Sequence, residues 1–332
     1  MTTFRASVAV VCIIFLFSLV LVPFANADWI MFRGDPSHSG VVTGNPPPTS
    51  TPIWKYTTGS VVESSAAVVG GILYVGSFDN NVYALNATNG NKLWNYTTDG
   101  NVESSPAVVN GLVYIASNDG NIYALNATNG NKLWKFTTGN EVDSSPAVVN
   151  GVVYIGSGDG EVYALNATNG DKLWNFATGG YIESSPAVVG GAVYIGSFDH
   201  NIYALNATNG RELWDYTTGR AIESSPSAGN VVYVGSDDDR VYALNATNGV
   251  KLWSFTTSGY VESSPAVVNG SVYVSGGNSI YALGGSPQSS NSLFIIGAVA
   301  AVVIIALIAF FIIQKRLKTR RKSPLSPAKF QI

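Results

Sequence analysis

The chain is poor in the residues that carry most enzyme chemistry. Its 332 residues include one cysteine, Cys12, and two histidines, His38 and His200. Cys12 lies inside a leading apolar run, so the rest of the protein has no thiol. Disulfide stapling and zinc–thiolate centres are thereby excluded, and stability must come from packing. No nucleophile–base pair, phosphate-binding loop or zinc cluster is present. No 3.6-residue apolar period runs through the central region, which excludes a helical bundle there. Charge is sparse as well, at 12% of residues. Between residues 28 and 284 ten basic residues face 21 acidic ones, a balance of −11. That excess argues against nucleic-acid binding and for cationic or neutral partners.

What the sequence does have falls into three zones. Residues 1–27 carry Arg5, an apolar stretch over 6–22 and a small-x-small end at Ala25-Asn26-Ala27, the pattern of a secretory signal peptide. Its alternative is an uncleaved signal anchor. Residues 293–313 form an uncharged apolar run that as a helix would measure about 32 Å, enough to cross a hydrocarbon core of about 30 Å. Lys315, Arg316, Lys318, Arg320, Arg321 and Lys322 follow it, which assigns the 314–332 tail to the cytoplasm and residues 28–292 to the outside. The expectation is an exported, single-pass type I membrane protein with a short 285–292 linker.

The middle zone repeats itself. Trp54, Trp94, Trp134, Trp174 and Trp214 recur every 40 residues, and Trp253 follows at 39. A period of that size signals a repeat architecture. Within one unit, "SPAVV", "LVYIAS", "NIYALNA" and "KLWKFTT" read as four short strands joined by Asn-Gly and Asp-Gly turns. Such dipeptides accept the positive φ angles of type I′ hairpins. Four antiparallel strands per unit make a propeller blade, so the fold class is all-β. The propeller is expected over 53–284, after a lead-in at 28–52. Six sets of first-to-third strands and six Trp strands are present, but the first Trp strand, "IWKYTT" at 53–58, precedes the first set. The expectation is six blades, with 53–58 closing the last.

The phrase "YALNATNGNKLW" at 83–94 resembles the docking motif of the pyrroloquinoline-quinone (PQQ) repeat propellers, Ala-x-Asp-x-x-Thr-Gly-x-x-x-Trp. Here Asn86 and Asn89 stand where that family has Asp and Thr, while Ala84, Gly90 and Trp94 keep their places. "DWIMFRGDPSHSG" at 28–40 looks like the lead-in ahead of such propellers. The resemblance implies docking roles for Trp54, Trp94, Trp134, Trp174, Trp214 and Trp253, with Gly90, Gly130, Gly170, Gly210 and Gly249 supplying left-handed turns. It raises two functions. One is a PQQ- and Ca²⁺-dependent quinoprotein dehydrogenase, in which the quinone stacks between a channel tryptophan and a disulfide of adjacent cysteines. The other is a non-catalytic scaffold like the outer-membrane assembly lipoprotein of this repeat class. Cysteines are lacking, six of the seven Trp are taken by docking, which leaves only Trp29, and the blades are nearly alike. The scaffold reading is therefore preferred, with no catalytic residue and no bound cofactor expected, and a structural cell-surface glycoprotein is a further alternative.

Strand alternation sorts the loops onto two faces. One face, here called the top, collects Glu63, Glu103, Asp143, Glu183, Glu223 and Glu262, one per blade, at the start of each channel-lining strand. It also holds the turn acids Asp79, Asp119, Asp159, Asp199 and Asp238. The six carboxylates read either as a ring for a cation or cationic ligand, or as acceptors for Ser and backbone N–H groups of their own turns. The turn acids read as turn formers. His200, Arg240, Arg220 and Tyr181 are the top-face oddities. The other face is neutral and carries the sequons at Asn86, Asn126, Asn166, Asn206 and Asn245, with further ones at Asn95 and Asn269. The chain leaves from this neutral face toward the membrane span, so the acidic face is expected to look outward.

Overall fold

The structure is a computed structural model that describes residues 30–36 and 50–284. The signal, linker, apolar segment and tail assigned from sequence lie outside those residues. Among the described residues, no helix is long and apolar enough to cross a membrane.

Among the described residues every regular element is a β-strand, and the strands form six antiparallel sheets. Five have four strands and occupy residues 67–97, 107–137, 147–177, 187–217 and 227–256, here blades 1 to 5. The sixth, 266–283, has three. Blade 2 is representative, with strands Ala107–Val109, Leu112–Ser117, Asn121–Asn126 and Lys132–Thr137. Asn110 and Gly111 both take positive φ, 52° and 77°, giving the type I′ turn that the sequence suggests. The second turn is different. Only one residue there is left-handed, Asn80, Gly120, Gly160, His200 or Asp239 in successive blades. That is a type I turn followed by a left-handed residue, the three-residue hairpin form. His200 therefore has a backbone role at a turn.

The middle strands are buried almost continuously, because each blade is covered on both faces by its neighbours. Ile122, Ala124 and Leu125 are wholly enclosed, and so are Val162, Ala164 and Leu165. The outer strand alternates, with its Trp turned inward. A bulge at the same place in blades 1 to 5 aims that indole: Ala124 pairs with Trp134 but Leu125 pairs with Lys132, which leaves Leu133 unpaired.

Two sets of contacts join one blade to the next. At the outer radius, Trp94 lies on Gly130 of the following blade and donates from Nε1 to the Ala127 carbonyl at 2.9 Å. The second-strand Tyr74 hydroxyl donates to the same carbonyl at 3.1 Å. Trp54, Trp134, Trp174 and Trp214 repeat the arrangement on Gly90, Gly170, Gly210 and Gly249. At the inner radius, the two serines of each "SSP" build a ladder. Ser65 N–H donates to Ser105 Oγ, and the chain of donors runs on through Ser145, Ser185 and Ser225 to Ser264 at 2.9–3.0 Å. A Ser145→Ala variant leaves the buried Ser105 N–H without its acceptor and should cost about 1–3 kcal/mol in unfolding free energy. Denaturant melts that show no loss would remove the ladder's energetic role.

The expected closure differs from what is seen. Residues 53–58 place Trp54 on blade 1 correctly, yet they join no sheet, and Ser279–Leu283 pairs only with its own hairpin partner among the described residues. The junction to the last blade also departs from the others: Trp94, Trp134, Trp174 and Trp214 each donate to a carbonyl of the following blade, whereas Trp253 is 37% exposed. The lead-in is also more than a lead-in. Ile30 and Pro36 carbonyls accept from Val108 N–H and Val188 N–H at 2.6 Å, in the first strands of blades 2 and 4. Met31 is buried between them among Ala107, Val148 and Val153. Residues 30–36 thus strap the channel-lining strands together. Burial lowers the Arg33 guanidinium to about 10, against the opposing effect of Asp35.

Candidate functional site: the acidic mouth of the channel

The top-face loop of every blade ends in the same way. A small or left-handed element turns the chain inward, a Val or Ile plugs the gap between blades, and the carboxylate follows just before the serine ladder. Val102, Val142, Ile182, Ile222 and Val261 are fully enclosed at these junctions, which pins the next residue at the channel mouth. Glu103, Asp143, Glu183 and Glu223 are half-buried there, while Glu63 and Glu262 at the two ends are exposed.

The hydrogen bonds expected from neighbouring serines to these carboxylates are not made among the described residues. The serines are used in the blade-to-blade ladder instead, so Glu103, Glu183 and Glu223 keep their burial cost uncompensated. Burial, followed by the charges of Asp143, Glu63 and Glu141, pushes Glu103 up to about 7. Burial, followed by Glu223, Asp143, Glu103 and Glu262, does the same to Glu183, also to about 7. Glu223 is raised by burial and by Asp237 and Glu262. These mutual effects reach across blades, so the carboxylates behave as one electrostatic group. Asp143 is raised by burial against the opposing hydrogen bond from the Tyr181 hydroxyl, which also donates to Glu141 at 3.0 Å. The Tyr181 ring lies over Gly158, where a Cβ would come within 2.3 Å of it. That close approach holds the phenol across two blades.

The turn acids are separate from this group. Asp119 accepts from the Tyr123 hydroxyl at 2.6 Å, from Asp99 N–H at 3.0 Å and from Asn121 N–H at 2.9 Å. Burial pushes Asp119 up, but these bonds outweigh it and hold it below the usual carboxylate range; Asp79 is held down in the same way. Asp159, Asp199 and Asp238 make the matching bonds to Tyr163, Tyr203 and Tyr242.

One functional-looking residue escaped the sequence reading. Asp237 occupies the position held by Phe78, Asn118, Gly158 and Phe198 in other blades, and its N–H makes the same bond to the preceding loop as theirs. Oxygens of Glu223, Asp237 and Glu262 lie within 4.8 Å of one another. Burial, followed by Glu262, raises Asp237, with Arg220 opposing. Arg220 is anchored next door, donating from Nη1 to the Tyr260 hydroxyl at 2.8 Å with its guanidinium 5.5 Å from that ring's centre. An adjoining cleft of about 430 Å³ is lined by Asp239, Tyr260, Glu262 and Asn278. The signal was an acid where the other blades have an aromatic, amide or glycine, hidden inside the run "DDDR". Arg240 itself is the exposed first residue of the Arg240–Asn245 strand.

A family model described as the outer membrane protein assembly factor BamB matches residues 38–141, 118–227 and 201–286. The chain belongs to this PQQ-repeat propeller family. Among solved structures, BamB from Moraxella catarrhalis is similar at TM-score 0.63 and 22% identity, over 71% of this chain and 77% of that one. Quinohemoprotein alcohol dehydrogenase from Comamonas testosteroni is similar at TM-score 0.63 and 18% identity, over 80% of this chain and 60% of that one. No curated protein sequence matches. At these identities the likeness to solved structures establishes the fold alone.

The family's name raises the question whether PQQ fits. The described residues do not offer the quinone its stacking partners: Trp54, Trp94, Trp134, Trp174 and Trp214 are committed to docking glycines, Trp253 stands on its own blade beside Tyr233, and no cysteine follows residue 12. On the neutral face, the Asn86, Asn126, Asn166, Asn206 and Asn245 side chains cap their turns through Oδ1, accepting from the N–H two residues on at 2.8–2.9 Å. Each leaves its Nδ2, the atom that a glycan would occupy, outside the cap.

Proposed function

We propose that this BamB-family propeller is a membrane-anchored, extracytoplasmic scaffold that grips a basic segment of another protein, or a small cationic ligand, in its acidic mouth. One observation carries the reading. Carboxylates from successive blades converge at one end of the channel, and among the described residues no cation pairs with Glu103, Glu183 or Glu223. A basic side chain would supply what burial and mutual repulsion have withheld. The lead-in strap stiffens the channel wall beneath, as a presenting surface requires. The apolar 293–313 run would serve as the anchor, with the neutral face toward the membrane and its sequons available for glycans.

The test uses full-length protein and a fluorescent lysine- and arginine-rich peptide followed by polarisation. Changing Glu103, Glu183 and Glu223 together to Gln should weaken binding by about ten- to a hundredfold, at on the order of 0.5–1 kcal/mol per charge. Raising the ionic strength should weaken the parent and barely affect the variant. A parent that ignores the peptide, or a variant that binds as well, would sink the proposal. The Glu223–Asp237–Glu262 cluster favours a second reading, a hard divalent cation such as Ca²⁺ at the mouth, because oxygen-rich clusters suit such ions. Calorimetric titration of the same two proteins with Ca²⁺ separates the readings.

A further inference from the structure

Seven asparagines stand in Asn-x-Ser/Thr sequences among the described residues, and their geometry separates five from two. Asn86, Asn126, Asn166, Asn206 and Asn245 occupy one place, the turn between the third and fourth strands of blades 1 to 5. In each, Oδ1 accepts from the N–H of the Thr two residues on, at 2.8–2.9 Å. Asn86, Asn126 and Asn206 accept from the next N–H as well, at 3.2–3.3 Å. Nδ2 of these five makes no hydrogen bond among the described residues, and the Thr is exposed in every turn. The cap uses only an oxygen acceptor, so a carboxylate would serve it equally. The amide nitrogen is surplus to the fold.

The other two differ. Asn95 lies in the outer strand Lys92–Thr97, donates from Nδ2 to Asn81 Oδ1 at 2.9 Å and accepts from Lys92 Nζ at 3.1 Å. The hydroxyl of its sequon, on Thr97, also donates to Asn81 Oδ1, at 2.7 Å. Asn269 sits in a hairpin turn at φ of 50°, and its Ser271 is only 5% exposed. Neither combines a free amide nitrogen with an accessible hydroxyl.

Resting on the reading that the propeller is exported, we infer that Asn86, Asn126, Asn166, Asn206 and Asn245 carry N-linked glycans, one per blade, while Asn95 and Asn269 stay bare. The step is a group transfer from a lipid-phosphate-linked sugar. Nδ2 bonds to the anomeric carbon, and the bond from that carbon to the phosphate oxygen breaks. The phosphate leaves with the electron pair, and Nδ2 gives one proton to a base of the cell's glycosyltransferase. An amide nitrogen is a poor nucleophile because its lone pair is shared with the carbonyl. As the proton departs, charge collects on Oδ1, where the N–H donors of the turn already stand to stabilise it. Oδ1 is not consumed, so the cap survives the modification. The outer strand also presents a leucine soon after each turn: Leu93, Leu133, Leu173, Leu213 and Leu252 are 49–53% exposed. The C–H face of a sugar finds an apolar surface there. Glycans along this rim leave the acidic mouth as the open side of the propeller.

The test is peptide mapping by mass spectrometry on full-length protein from its native cells. A saccharide mass should appear on the five turn peptides and not on those holding Asn95 or Asn269. Thr128→Ala should remove it from Asn126 alone and leave the melting temperature unchanged, because the cap uses only the backbone N–H of Thr128. Thr128→Ser should restore it. Bare turns overturn the inference. So does a saccharide on Asn95 or Asn269 at matching occupancy, or one on Asn126 that persists in Thr128→Ala. A membrane-impermeant amine reagent applied to intact cells separates this inference from the reading beneath it. If the exposed Lys132 and Lys172 are labelled while the turns are bare, only the glycans are lost. If the lysines are unlabelled and the turns bare, export falls as well.

Discussion

Gly130→Ala is expected to lower the melting temperature far more than Gly151→Ala, although both glycines are left-handed. Gly130 has φ of 74° and Gly151 of 78°, so an L-residue at either costs about 1–2 kcal/mol in backbone strain. At Gly151 an added Cβ meets nothing within 4 Å. At Gly130 it would lie 2.7 Å from Cε3 and 2.8 Å from Cδ2 of Trp94. The indole cannot retreat freely, because its Nε1 is bonded to Ala127 and its ring stands 5.9 Å from Tyr74. Overpacking of this kind adds about 1–3 kcal/mol. For a domain of this size, the extra term corresponds to roughly 2–12 °C beyond the strain seen at Gly151. Equal melting points for the two variants would mean that the motif is only a turn and not a joint between blades.

That comparison bears on how much was readable beforehand. The docking phrase is legible because each of its parts has a local or nearest-neighbour job: a cap at Asn126, a left-handed Gly130, an indole at Trp134. Five copies in register then impose the sheet order without any long-range guess. The serine ladder was not legible. Ser104 and Ser105 look like solvated turn residues, and only the 40-residue offset between donor and acceptor reveals that they bridge blades. For the same reason the sequence suggested that they satisfy the mouth carboxylates, which they do not. Asp237 was missed because its neighbours Asp238 and Asp239 belong to the turn, and one-dimensional reading cannot separate a turn acid from a mouth acid beside it. The strap at residues 30–36 bonds to strands 78 and 152 residues downstream through backbone carbonyls, which no side-chain pattern announces.

The unsatisfied mouth makes a second large effect predictable, a fall in stability as the solution goes from acid to neutral. Glu103 and Glu183 rise from an ordinary value of 4.5 to about 7 in the folded protein, because burial disfavours the charge and the facing acids Glu63, Glu141, Asp143, Glu223 and Glu262 oppose it. Between those limits the folded state holds more protons than the unfolded one. Stability therefore declines as pH rises from 4.5 through 7, and then levels off. The turn acids do not blur the window. Asp79 and Asp119 are held below 3.8, so their contribution is complete above that value and is lost only in stronger acid. Both glutamates are about half open to water, so screening reduces each to on the order of 1 kcal/mol and not the roughly 3 kcal/mol of a fully enclosed group. Two such groups correspond to a drop of several degrees in melting temperature across the window. The Glu103→Gln, Glu183→Gln double variant should lose most of this slope and melt higher than the parent at alkaline pH. A basic peptide bound at the mouth should flatten the parent's slope in the same way, because it supplies the missing counter-charge to the folded state only. If the double variant kept the parent's pH dependence, the mouth would not be the source of the strain, and the carboxylates would have to be solvated by some route other than a partner.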